Sequence, residues 1–481
     1  MSTARGGMFV LQALQNFILA GLLGPKGFGE VSLFNLIFQY ARLAGFGIDR
    51  VAYREIPGRM AVNDIERVET VKNMAFTCEM WLRVLVCLLV LIMGLVFYSG
   101  MIRTGIIIIV LVLFVDKMNE LYYGIGSALK KFSILSKGNL ISGFIMALLT
   151  ISLVKFTGIY TQLIAMFFVT SLVIFYYNKK LKLDIKPLFV RKEFFLMLKM
   201  GIPFVFMAIA FTIWQISGRT MTAISLDMTA LGLYSFAHSC VLILVMFLDD
   251  FQTAFQPIVY ERMAKTKNKR DIFAVVRKPA LLFGYTTPIV IAFLFLIFPF
   301  FVRWFMPRYE NSIWIFRILL ANVYLAYLGI MVNYLLRSAE LNKQSYLLFS
   351  YSLAAGVSYL SMWVLLKIGL GVTGVVIGVI MGQAVAVVQT FIMAHRYYID
   401  GWKEAIAYYR ELITPLPVLV GFSTIVLWIE QIEYFNGFVK ASIAFALLFL
   451  LSGFLLYMLN NKTGIVIELL KMVDISGKRN A

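Results

Sequence analysis

Histidine is almost missing from this chain: His238 and His395 are the only two in 481 residues. Cysteine is nearly as scarce, and Cys78, Cys87 and Cys240 all lie inside apolar runs. Neither residue type occurs with metal-ligand spacing, and the cysteines show no extracellular disulfide pattern, so they read as small buried hydrophobes. There is no GxxxxGK[ST] pattern, so no ATP is bound through a P-loop. No metal or other cofactor is expected. Charge is thin at 14% of residues, and no Ser/His/Asp arrangement is within reach of the short loops. Long external loops are missing too. An enzyme working at an outer membrane face needs a folded loop there, which argues against a membrane polysaccharide polymerase or ligase.

What the chain does have is hydrocarbon. Hydrophobic residues make up 61% and the mean hydropathy is +0.85. Apolar runs of about twenty residues recur from end to end, the length an α-helix needs to cross a bilayer. None alternates with the period of two that a membrane barrel shows. The expectation is an all-α polytopic membrane protein of fourteen spans: 8–23, 30–48, 74–98, 105–127, 138–155, 160–177, 201–223, 229–251, 280–302, 313–335, 345–366, 372–394, 413–430 and 438–459. The formal charge of +19 does not point to nucleic acid, because Lys and Arg gather in alternate short connections. Arg50, Arg54, Arg59, Arg67 and Lys72 form one such group, and Lys265, Lys267, Lys269 and Arg270 another. The positive-inside rule places that basic set, and both termini, in the cytoplasm. The start, MSTARGG, lacks a signal-peptide n-region and cleavage site, so the first span is expected to stay and to act as its own insertion signal.

The rest is organised around Leu22 to Pro57. A Gly/Pro turn (Gly24, Pro25, Gly27, Gly29) ends one apolar segment and launches another, which carries Arg42 and finishes on Gly45, Gly47, Asp49 and Arg50. An arginine in hydrocarbon costs at least about 2.5–3.5 kcal/mol, so it implies a water-filled cavity or a partner. The pattern returns: Gly29-Glu30-Val31-Ser32 opens span two, and Gly232-Leu233-Tyr234-Ser235 stands near the start of span eight. Each is followed by an apolar helix ending in acids, then a basic stretch. This predicts a parallel repeat of two six-helix lobes. The N-lobe is 1–178 and the C-lobe 201–397. A cytoplasmic linker, 179–200, carries an interfacial helix over Lys186–Lys199, and 398–481 adds two spans and a tail. The interfacial helix is read from basic residues interleaved with Leu188, Phe189, Phe194, Phe195 and Leu198.

The stretch LLGPKGFGEVSLFNLIFQYARLAGFGIDRVAYREI resembles the N-terminal pattern of the polysaccharide transport family, which includes O-antigen flippases. That family belongs to the multidrug/oligosaccharidyl-lipid/polysaccharide (MOP) exporter superfamily. ALGLYSFAHSCVLILVMFLDDFQTAFQPIVYERM and GVTGVVIGVIMGQAVAVV are similar to later segments of the same family. The resemblance covers nearly the whole chain, though the chain begins closer to its first span than the family pattern does. It implies two lobes in a V around a central cavity lined by spans 1, 2, 7 and 8 and opening alternately to each side. It also implies transport of undecaprenyl-diphosphate-linked oligosaccharide to the periplasmic leaflet, with membrane lipid and polysaccharide polymerases as partners.

The charged residues inside the spans are the site candidates. Arg42 in span two and Arg219 in span seven have no acid at i±3 or i±4. Each is either paired with an acid from another helix or faces the cargo. A guanidinium fork suits a diphosphate. Glu79 and Arg83, at i and i+4, read as a self-neutralising pair. Asp116, Lys117 and Glu120 either neutralise one another or mark an aqueous face, with Lys117 then a cavity cation. Arg317 in span ten is unpaired locally, a candidate for the second lobe's cavity. Asp49, Asp116, Glu120, Asp249 and Asp250 are candidates for coupling or gating. His238 is either a proton relay or a hydrogen-bonded buried histidine. Gln12, Gln15 and Asn16 share one face of the first span, either packed against other helices or lining water.

The leading expectation is therefore a lipid-linked oligosaccharide flippase of a prokaryotic inner membrane. A multidrug or small-molecule antiporter of the same superfamily is the alternative. Cations exported by such a protein call for carboxylates in mid-cavity, whereas spans two and seven present arginines. The loop asymmetry also yields a test of topology: single cysteines at Lys182 or Lys267 should react with a membrane-impermeant thiol reagent only from the cytoplasmic side. Periplasmic labelling at either position would reverse the orientation.

Overall fold

The computed structural model describes residues 2–253, 268–337, 344–432 and 437–464. Among these residues every regular element is helical. In chain order they are α1 (Ser2–Arg42), α2 (Ile48–Ala61), α3 (Ile65–Phe97), α4 (Gly100–Ala128), α5 (Phe132–Thr157), α6 (Thr161–Leu181), α7 (Arg191–Gln215), α8 (Ser217–Ser225), α9 (Met228–Thr253), α10 (Lys269–Phe305), α11 (Ser312–Leu328), α12 (Ile330–Arg337), α13 (Gln344–Lys367), α14 (Gly371–Tyr398), α15 (Trp402–Ile413), α16 (Pro415–Gln431) and α17 (Gly437–Thr463). Ten of the described helical stretches are long and apolar enough to cross a membrane, and the chain is a multi-pass membrane protein. All fourteen anticipated spans fall on described helices. Two such stretches hold more than one of them, 14–42 and 132–181. Another, α4, has the length and the apolar run 106–115, but carries Asp116, Lys117 and Glu120 just beyond it.

The helix α1 is bent. Gly24 takes φ 69° and ψ 176°, and Pro25 follows. Glycine tolerates that backbone, and proline removes the N–H that would continue the ladder. The first two anticipated spans are thus two halves of one helix. The second half stops at Arg42, short of the anticipated 48. Its stop is the AGFG turn, where Gly47 sits at φ 73°.

By packing, the chain divides into two compact units, Met1–Ile243 and Leu244–Ala481. This cut differs from the six-helix lobes drawn from the repeat, because α7, α8 and most of α9 pack with the first unit. In that unit α2 lays Ile48, Val51, Ala52 and Ile56 against Val71, Met74, Ala75 and Cys78 of α3. Phe34 and Phe38 of α1 pack on Ile109, Val112 and Leu113 of α4. Tyr122 and Ile125 of α4 meet Val169, Val173 and Tyr177 of α6. Cys78 and Cys87 are buried and Cys240 is half-buried, all as free thiols.

The two glycines singled out by the repeat touch each other. A Cβ on Gly29 would lie 1.9 Å from the Met228 carbonyl oxygen, and one on Gly232 would lie 1.8 Å from that of Pro25. Each glycine therefore covers the carbonyl four residues ahead of its partner, the reciprocity that a local two-fold produces. Small residues allow this backbone-to-backbone approach between membrane helices.

Residues 182–190 differ from expectation. They are not helical, and α7 begins only at Arg191 and continues straight into the next apolar span. The segment is held by side chains of α3: Lys186 N–H donates to Asn73 Oδ1 (3.1 Å) and Leu188 N–H to Thr77 Oγ1 (3.0 Å). Those bonds satisfy the backbone without a helix.

In the second unit α10 carries three prolines, Pro279, Pro288 and Pro299, and packs against α11, α16 and α17. Ion pairs join its helices. Arg277 of α10 meets Glu411 of α15 at 2.8 Å, and Lys462 of α17 meets the same carboxylate at 3.3 Å.

The glycine contact supplies a prediction. Gly232→Val should lower the melting temperature and the amount of inserted protein, since overpacking costs about 1–3 kcal/mol and here the obstacle is backbone. Gly421→Ala, where nothing lies within 4 Å, should be neutral. A Gly232→Val protein as stable and abundant as wild type would refute the close contact.

Candidate functional site: a polar cavity and its charged floor

The break between α1 and α2 leaves carbonyls at one helix end and N–H groups at the next without ladder partners. Both sets are met from α3. Arg83 Nη1 donates to the Ala41 carbonyl (3.1 Å), and Nη2 to those of Arg42 (3.4 Å) and Ala44 (3.3 Å). One turn away, Glu79 Oε1 accepts from Ile48 N–H at 3.0 Å. A cation thus caps the negative end of α1 and a carboxylate the positive end of α2. Glu79 and Arg83 are each 1% exposed. They do not form the self-neutralising pair that their spacing suggests. Buried backbone groups without partners are costly, and each side chain is committed to them.

Lys117 of α4 closes the arrangement. Its Nζ lies 2.8 Å from Asp49 Oδ2, 3.3 Å from Glu79 Oε2 and 3.3 Å from Glu120 Oε2. The triplet Asp116, Lys117, Glu120 therefore neutralises itself only in part. Asp116, about 100° round the helix from Lys117, turns to Arg42 instead, with Nε–Oδ2 at 3.0 Å. Tyr53 of α2 donates to the Glu120 carbonyl at 3.2 Å. Burial, and then the nearby Asp49 and Glu120 carboxylates, push its phenol well above the usual range, so it stays a neutral donor. Arg42, Arg50, Arg83 and Lys117 thus stand against Asp49, Glu79, Asp116 and Glu120, a formally neutral set.

Above this floor the first unit holds a cavity of about 790 Å³. Its wall includes Arg42, Arg50, Asp116, Asn119 and Glu120. Although Arg42 belongs to an apolar helix, its side chain is 45% exposed. Gln15 and Asn16 also line the cavity, so this face of the first span looks onto polar space; Gln12 has a side chain outside the described residues. A second cavity of about 630 Å³ shares Arg42, Arg50, Asn119 and Glu120 with the first and adds Tyr53 and Tyr123.

The other candidates are placed differently. Lys117 and Asp49 are buried beneath the wall and do not line the first cavity. Arg219 of α8 donates from Nη2 to Gln39 Oε1 at 3.2 Å, and its Nε is buried without a partner. Gln39 lines the cavity and Arg219 stands behind it, so the two arginines do not share this wall. Arg317 of α11 has an acid after all, 113 residues away: Nη1 donates to Glu430 Oε2 of α16 at 2.9 Å, and Nη2 holds the other oxygen. Its guanidinium lies 4.4 Å over the Phe295 ring. His238 of α9 stacks on Tyr234 with centroids 5.9 Å apart. Asp249 and Asp250 fall in the last turns of α9, and their side chains lie outside the described residues. Arg50 and Asn119 were not singled out from sequence. Arg50 looks like one more basic residue after a span, and Asn119 is hidden among the charges of VDKMNELYY.

Solved structures described as MOP superfamily transporters are similar to this fold. The lipid II flippase MurJ in an inward closed conformation is similar at TM-score 0.70 and 12% identity, covering 96% of this chain and 98% of that one. A multidrug resistance MATE family transporter in an inward-facing conformation is similar at TM-score 0.65 and 16% identity, covering 84% and 96%. A MOP superfamily transporter from Pyrococcus furiosus Vc1 (DSM3638), described as having a binding pocket of reverse polarity, gives TM-score 0.56 at 15% identity, covering 84% and 95%. No curated protein matches the sequence significantly. The sequence model for "Polysaccharide biosynthesis protein" matches residues 1–263, and the chain belongs to that family.

The floor generates a prediction. Lys117→Met leaves Asp49 and Glu79 buried without their cation, and breaking such a pair costs about 3–5 kcal/mol. The variant should melt well below wild type in detergent and accumulate poorly. Wild-type thermal stability would show that the cluster contributes nothing to the fold.

Proposed function

We propose that the chain is a flippase for undecaprenyl-diphosphate-linked oligosaccharide, an O-antigen or similar repeat unit, working by alternating access in a prokaryotic inner membrane. The observation that carries this reading is Arg42, a half-exposed guanidinium on the wall of a polar cavity in a chain of the polysaccharide biosynthesis family. Asp116 Oδ2 stands 3.0 Å from its Nε as a counter-charge, and the two terminal nitrogens remain for phosphate oxygens. Arg50 adds a second exposed cation to the same wall. Asp116 also competes with the cargo, which keeps binding moderate and allows release. The polyprenyl tail stays in lipid while the headgroup occupies the cavity. The fold shared with a protein named as a lipid II flippase supports the reading. Six-helix lobes, cytoplasmic termini, polymerase partners and a coupling or gating role for His238, Asp249 and Asp250 belong to the same proposal.

The carboxylates of Asp116 and Glu120 on the wall favour a second reading, export of a cationic small molecule; a protein of similar fold is named as a multidrug resistance MATE family transporter. Complementation of a flippase-null strain separates the two. A charge-assisted hydrogen bond is worth about 1.5–3 kcal/mol, so Arg42→Gln with Arg50→Gln should cut surface polysaccharide by roughly tenfold or more at normal membrane abundance. Arg42→Lys should rescue in part, because a point charge replaces the fork. Full activity of the double variant would end the phosphate role. Drug resistance without polysaccharide export in the wild type would transfer the assignment to the antiporter.

A further inference from the structure

We infer that the uncharged part of the first unit's cavity is a saccharide subsite, distinct in chemistry from the arginine end; this deepens the flippase reading and rests on it. The cavity is divided by residue type. Its charged wall residues are Arg42, Arg50, Asp116 and Glu120, and three of them also line the second cavity. Charge is therefore gathered where the two cavities meet. Outside that charged set the wall carries five side-chain amides, Gln15, Asn16, Asn35 and Gln39 of α1 and Gln162 of α6, between apolar residues such as Leu43, Met146 and Met166. Hydroxyls of Ser142, Thr170 and Thr212 come from α5, α6 and α7.

Such a set is unusual in membrane helices, because an amide in an apolar surrounding without a hydrogen bond costs several kcal/mol. Each amide carries two donors and an acceptor. A phosphate needs donors only, and an apolar cargo needs neither. A sugar hydroxyl both donates and accepts, which makes it the ligand chemistry that fits. Two observations add direction. Asn35 Nδ2 donates to Gln162 Oε1 at 2.9 Å, which fixes both amides and leaves the Asn35 oxygen and the Gln162 amino group to be satisfied from the cavity. At the junction, Asn119 Oδ1 is buried without any hydrogen-bond partner and calls for a donor from the ligand. The volume lies within the range of about 300–1,000 Å³ usual for small-molecule sites. The phosphates would then sit at Arg42 and Arg50, and the first sugars among the amides.

The test uses the purified full-length chain and two probes, undecaprenyl diphosphate and undecaprenyl-diphosphate-linked N-acetylglucosamine, with equilibrium binding measured for each. Wild type should hold the sugar-bearing probe about tenfold more tightly. Asn35→Ala with Gln162→Ala removes both members of the pair, so neither is orphaned. It should erase that preference while leaving the sugarless probe unchanged. Arg42→Gln should weaken both probes alike. Thr170→Val and Asn16→Ala, which leave the Asn35–Gln162 pair intact, repeat the sugar test if the double variant folds poorly. Equal wild-type affinity for the two probes, or amide variants that weaken both equally, would overturn the subsite while the flippase reading stands. Wild type binding neither probe would overturn both.

Discussion

The architecture of the first unit depends on a broken helix whose two ends are held by one neighbour. α1 stops at Arg42 and α2 starts at Ile48, and the turn between them exposes carbonyls on one side and an N–H on the other. Within apolar surroundings each such group left unpaired costs several kcal/mol. Arg83 and Glu79, one turn apart on α3, answer the two ends with opposite charge. The helix dipoles make this the favourable assignment. Reversing the two residues would set a carboxylate against carbonyls.

From that clamp the functional geometry follows. Glu79 carries a negative charge into the interior, and Lys117 answers it together with Asp49. With Lys117 taken up below, its sequence neighbour Asp116 is free to turn toward the cavity and meet Arg42. The guanidinium is thereby held at the cavity wall, half-exposed and reachable. The balance of four cations against four carboxylates means that the cavity is not a simple basic funnel. On the proposed reading an anion is held locally, at the fork of Arg42 and beside Arg50, and not along the amide-bearing wall. A cargo with charge at one end and hydroxyls at the other matches that arrangement.

The second unit handles its intramembrane arginine differently. Arg317 is paired through both terminal nitrogens with Glu430 and covered by Phe295. That is a closed arrangement, suited to joining α11 to α16. Arg277, Glu411 and Lys462 join α10, α15 and α17 in the same way. Arginines that look alike in sequence therefore divide into one that faces a cavity and one that fastens helices.

The sequence by itself determined the membrane class, the apolar helices and the Gly24–Pro25 turn, and it marked Gly29 and Gly232 without showing that they meet. Each of these is imposed locally: hydrocarbon thickness sets the run length, and a left-handed backbone or a close approach calls for glycine. It also showed that Arg42 needs a cavity or an acid from another helix, and the structure supplies both. What only the tertiary structure decided is who meets whom. Glu79 and Arg83 have ideal spacing to pair, yet each serves the backbone of a different helix. Lys117 reaches an aspartate 68 residues away, and Arg317 a glutamate 113 residues away. The extended form of 182–190 likewise depends on Asn73 and Thr77 of α3. Sequence spacing reports only neighbours one turn apart on the same helix, whereas the partner of a buried charge is fixed by which helices pack, and that is settled by the fold as a whole.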